Sequence, residues 1–139
     1  MLSEDRSTLD AVSNLVPANL LEEHLVERGP RAHLVTVGAE GAPHVTSVLV
    51  SLGDDALVVP CGRTTSENAA ARPAVTLLWS APPGESYTLL VDGVATLDTA
   101  LDTALANDDP ALSIRPTRAV LHRVADAPGE GPTCIRIEP

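Results

Sequence analysis

The stretch Val58-Val59-Pro60-Cys61-Gly62-Arg63-Thr64-Thr65-Ser66-Glu67-Asn68 is where this chain gathers its chemically capable side chains. An apolar strand runs there into an arginine, a cluster of hydroxyls and an asparagine. A strand end followed by a polar turn and a helix start can hold an oxyanion, because free backbone N–H groups and the helix dipole converge on it. Arg63 can supply a bidentate, charge-assisted pair. Thr64, Thr65 and Ser66 offer hydroxyls, Ser66 can cap the helix that follows, and Asn68 can brace the turn or donate to a ligand. The competing reading is a solvated loop with a capping serine, since Arg-Thr-Thr-Ser is a weak motif on its own.

Other reactive residues are scattered. His24, His33, His44 and His122 show no ligand spacing, so no metal site is expected. His44 shares a strand face with Thr46, Val48 and Val50 and could line a pocket mouth. Ser47 and Ser51 lie on a strand with no evident base, and Gly-x-Ser-x-Gly is absent. Cys61, at a strand end beside Arg63, is the best-placed nucleophile, although packing explains it more simply. Cys61 and Cys134 read as two small buried thiols rather than a disulfide or zinc pair. Asp54-Asp55 and Asp108-Asp109 sit in turn contexts and read as solvated. No catalytic residue can be named, and an enzyme built on this chain would take its chemistry from a cofactor.

Composition narrows the classes further. The 139 residues fit one domain, 1–139, with 1–8 read as a flexible start. Apolar residues make up 44%, with no Phe, one Trp and one Tyr, so the core must be aliphatic. Too few aromatics remain to stack bases, and a net charge of −10 repels polyanions, so no nucleic-acid partner is expected. All nine basic residues are arginine, which bars a lysine Schiff base and a P-loop lysine. No signal sequence and no apolar run of membrane-spanning length is visible, so a cytoplasmic location with no membrane partner is expected.

The elements that would position these residues are mostly short strands. A helix starts at Pro17, carries Leu20, Leu21, His24 and Leu25 on one stripe, and ends at Gly29-Pro30. Strands are expected over 32–37, 43–51, 56–60, 74–79, 86–97, 119–124 and 133–137. A short helix from about 66 to 71 stops before Pro73, and an Ala/Leu helix is expected over 98–107. Gly93 inside the long strand signals a bulge. Strands with turn signals and small helices give a mainly β class, a closed or partly closed barrel.

The order of these features is similar to a known family. The run Ala32-His33-Leu34-Val35-Thr36-Val37, then Gly41-Ala42-Pro43-His44-Val45, a polar turn closing with Asn68 and Arg72-Pro73, Val75-Thr76-Leu77-Leu78-Trp79, and Leu90-Val91-Asp92-Gly93-Val94-Ala95 resembles the pyridoxamine 5′-phosphate oxidase-like, FMN-binding split-barrel superfamily. The resemblance covers residues 20–97 and, more weakly, 115–124. It implies a split β-barrel of about six to seven strands. It also implies a homodimer holding FMN, or in some branches a deazaflavin or a heme, at the dimer interface. By the same resemblance Thr46, Ser47, Val59 and Pro60 lie along the isoalloxazine. Arg63, Thr64 and Thr65 sit near the phosphate, with Asn68 in the same turn, and Thr88 approaches from the second subunit.

Thr64-Thr65 stands where the family commonly has a basic pair, and Thr46 replaces a basic residue on the second strand. The basic and aromatic residues that hold pyridoxal phosphate have no clear counterpart, so a true pyridoxamine 5′-phosphate oxidase is not expected. Two readings follow: an FMN- or deazaflavin-dependent oxidoreductase acting on a small molecule, or a cofactor-free split-barrel binding module.

Overall fold

The computed structural model describes residues 16–97, 110–125 and 131–139. A single tight helical turn, Ala18–Leu20, leads into α1, Glu22–Arg28. Then come β1 (Arg31–Val37), β2 (Pro43–Leu49), β3 (Ser51–Leu52), β4 (Leu57–Pro60) and α2 (Arg63–Ala71). The chain continues through β5 (Ala74–Trp79), β6 (Thr88–Leu97), β7 (Ala111–His122) and β8 (Cys134–Arg136). The eight strands form one antiparallel sheet in the order β2-β1-β5-β6-β7-β4-β3, with β8 on β7. The sheet curls until β2 and β4, far apart in that order, lie against one another.

Alternation along each strand builds the core. Ala32, Leu34 and Thr36 of β1 turn inward, while Arg31 and His33 stay exposed. Leu57, Leu77, Trp79, Leu89, Leu112 and Ile114 are fully buried, so the interior is aliphatic around one indole. Cys61 is buried, whereas Cys134 is exposed, against the expectation of two buried thiols. The Trp79 indole N–H donates to the Gly29 carbonyl at 3.2 Å, which ties β5 to the corner between α1 and β1. Gly29 has φ +87°, and its N–H closes α1 on the Leu25 carbonyl.

Several boundaries differ from the sequence reading. The first helix begins as the tight turn and becomes α-helical only at Glu22. The second strand breaks at Val50, whose N–H donates to the Pro30 carbonyl at 2.7 Å, just before the β1–β2 ladder begins. β7 starts at Ala111, well before the expected residue 119. Pro116 of β7 pairs with Gly93 where the β6–β7 register shifts. A bulge tolerates a missing N–H, so the glycine expected to mark an irregularity also admits the proline. A Cβ on Gly93 would lie 2.7 Å from the Arg115 carbonyl oxygen.

The expected helix at 98–107 and the start of the chain lie outside the described residues. Among the described residues no helix is long and apolar enough to cross a membrane.

Candidate functional site

The site is a cleft of about 400 Å³ lined by Arg31, Ser47, Val48, Leu49 and Pro60. Strand periodicity explains which side chains reach it. Residues 45, 47 and 49 of β2 are exposed on the outer face, whereas Thr46 and Val48 turn toward the interior opposite Leu34 and Ala32. On β4, Leu57 and Val59 turn inward, and Val58 and Pro60 are half-buried. Ser47 and Pro60 therefore meet across the cleft. Thr46 and Val59 stand on the opposite side of their strands. Val59 is fully buried and does not line the cleft. The Thr46 hydroxyl is buried with no hydrogen-bond partner among the described residues. His44 is half-buried on the Thr46 face.

Beyond Pro60 the chain reaches α2 within three residues, a span of at most about 11 Å. α2 begins at Arg63, earlier than the expected residue 66, because Gly62 takes the extended N-cap position. Gly62 brings no side-chain cap, so the first-turn amides keep their capacity to bind an anion. Ser66 does not cap the helix. Its hydroxyl donates back to the Arg63 carbonyl at 2.9 Å. Arg63 and Thr64 are exposed, and Arg63 makes no ion pair among the described residues.

The rest of α2 fixes the turn in place. Thr65 and Asn68 are buried. The Asn68 amide nitrogen donates to the Thr36 hydroxyl at 3.2 Å, and Arg72 Nε donates to the Val37 carbonyl at 2.7 Å. Both bonds fasten the helix to β1. Thr88 is half-buried and pairs with His122 at the start of β6, away from the cleft's own lining.

Arg31 is the lining residue that sequence reading passed over. It is exposed and opposes Leu49 in the β1–β2 register. Its only local signal was a cation at the start of a strand, which usually marks a solvated edge. Among the described residues no group of His, Cys, Asp and Glu is placed to hold a metal ion.

No family model matches the chain. An uncharacterized protein of Mycobacterium bovis and one of Mycobacterium tuberculosis are each 39% identical over 75 residues, which is 54% of this chain and 49% of theirs. The chain thus spans about half the length of the curated relatives it matches. Solved structures extend the comparison to most of the fold. An F420 reductase superposes with a TM-score of 0.56 at 24% identity, covering 70% of this chain and 94% of its own. A putative pyridoxamine 5′-phosphate oxidase from Listeria innocua gives 0.59 at 18%, covering 74% and 92%. The fold is a split barrel. A heme-binding protein from Mycobacterium smegmatis has the same split barrel, with a TM-score of 0.59 at 20% identity, over 81% of this chain and 54% of its own. The same architecture thus occurs in an F420 reductase, a putative pyridoxamine 5′-phosphate oxidase and a heme-binding protein.

Proposed function

We propose that this split barrel binds FMN or a deazaflavin and acts as an oxidoreductase on a small molecule. One observation carries the reading: in a cleft walled by Ser47, Leu49 and Pro60, Pro60 lies three residues before an uncapped helix start bearing an exposed Arg63 with no ion pair among the described residues. The cleft volume falls in the range of small-molecule sites, ~300–1,000 Å³. Leu49 and Pro60 offer apolar contact to a flat ring. Arg63, the Thr64 hydroxyl and the first-turn amides offer donors to an anionic tail. When bound, the ring supplies the hydride chemistry, and the chain's residues hold and orient it.

The same reading includes a homodimer. Val45 is 58% exposed, Leu49 57% and Val94 44%, apolar side chains of β2 and β6 that a second copy would cover. Thr88 of one copy would then approach the cofactor of the other.

The experiment is a fluorescence titration of the purified chain with FMN and, separately, with a deazaflavin. Saturable binding of either supports the reading, and Arg63→Ala weakens it about tenfold or more through loss of a charge-assisted bond. Equal affinity in the variant removes Arg63 from the site.

A further inference from the structure

A second concave site lies at the corner between α1 and β1. This cleft of about 280 Å³ is lined by Glu27, Arg28, Arg31, His33 and Ser80, with the Pro82-Pro83 loop as a wall. Its centre of charge is Arg28, whose side chain is only 3% exposed. Of the five donors a guanidinium carries, Nη2 is used on the Tyr87 carbonyl at 2.7 Å. Nε is buried with no hydrogen-bond partner among the described residues. Nη1 lies 3.6 Å from the Glu27 carboxylate, too long for a hydrogen bond, and that carboxylate is 46% exposed. A buried cation so sparsely paired is costly to keep, and an anion brought beside it would recover part of that cost.

The surroundings suit such an anion. Arg31 and His33 project from the same face of β1, and Ser80 follows Trp79 at the end of β5. The corner itself is fixed by the Trp79 bond to Gly29 and by the Arg28 bond to Tyr87. We propose that this cleft binds a small oxyanion, the carboxylate or phosphoryl group of a small molecule. Arg28 supplies the buried charge, and Arg31, His33 and Ser80 supply donors at the mouth. Glu27 sits at the rim as an internal competitor for Arg28. The site needs no cofactor, although Arg31 also borders the larger cleft.

The test is a titration of the isotope-labelled full chain at constant ionic strength, with acetate in one series and inorganic phosphate in another, followed by backbone amide shifts. Saturable shifts centred on Arg31, His33 and Ser80 are expected. Response to acetate identifies a carboxylate site, and response to phosphate alone a phosphoryl site. Arg31→Ala weakens binding about fivefold, and Glu27→Gln tightens it about threefold by removing a like charge. Arg28→Ala can unfold the corner, so the Arg31 and Glu27 variants carry the test. Absence of saturation with both ions in the millimolar range overturns the proposal. So does a folded Glu27→Gln chain that binds no more tightly than the parent.

Discussion

Ser47 on β2 and Pro60 at the end of β4 line one cleft, although β2 and β4 stand far apart in the strand order of the sheet. Curling of the sheet creates this neighbourhood, and no local sequence pattern announces it. Ser47 is exposed, so a larger side chain there fills the cleft without disturbing the core. Ser47→Trp is expected to weaken flavin binding at least about tenfold while stability changes by no more than about 0.5 kcal/mol. Paired flavin titration and urea denaturation check both halves of that statement.

Asn68 and Thr36 form a buried side-chain hydrogen bond between α2 and β1. Asn68→Ala leaves the Thr36 hydroxyl without this partner, which costs about 1–3 kcal/mol. Urea denaturation should show the lower midpoint with an unchanged slope. Thr36→Val together with Asn68→Ala should recover part of the loss, since both polar partners are then gone.

Gly93 is required by close approach. A Cβ there would meet the Arg115 carbonyl oxygen and the Ile114 Cγ2, both at 2.7 Å. One of these atoms belongs to the backbone of β7 and cannot rotate away. Gly93→Ala is expected to destabilise by about 1–3 kcal/mol, the usual cost of overpacking. A melting temperature equal to that of the parent would show that the β6–β7 irregularity is softer than its geometry implies.

Trp79 is the single tryptophan and is 1% exposed. Its native emission should be blue-shifted and insensitive to iodide, with a red shift on unfolding. Trp79→Phe keeps most of the apolar volume but removes the bond to Gly29, a loss of about 1 kcal/mol. Denaturation followed by circular dichroism measures it.

Much of the architecture was legible because period-2 alternation and turn residues are local signals. The fourth expected strand, 74–79, coincides with β5, and Gly93 marked the bulge. The early start of β7 was not legible, because the tolerance of Pro116 within that strand comes from Gly93 across the ladder. The anion turn was legible as composition, but its internal roles were not. Ser66 looked like a cap and lies inside the helix, because Gly62 can adopt the N-cap backbone itself. Thr46 and Ser47 are neighbours in sequence yet face opposite sides of β2, so one ligand cannot meet both side chains on one surface. Arg28 and Arg31 could not be told from solvated cations, since burial of a guanidinium and the sharing of a cleft are tertiary facts.

The measurement closest to the central claim is the visible absorption spectrum of the chain, taken after incubation with FMN or a deazaflavin and removal of free ligand by ultrafiltration. A flavin or deazaflavin band retained by the parent and diminished by both Arg63→Ala and Ser47→Trp is the predicted result. A colourless protein after treatment with either cofactor contradicts the account and leaves the split barrel as a scaffold for some other binding role.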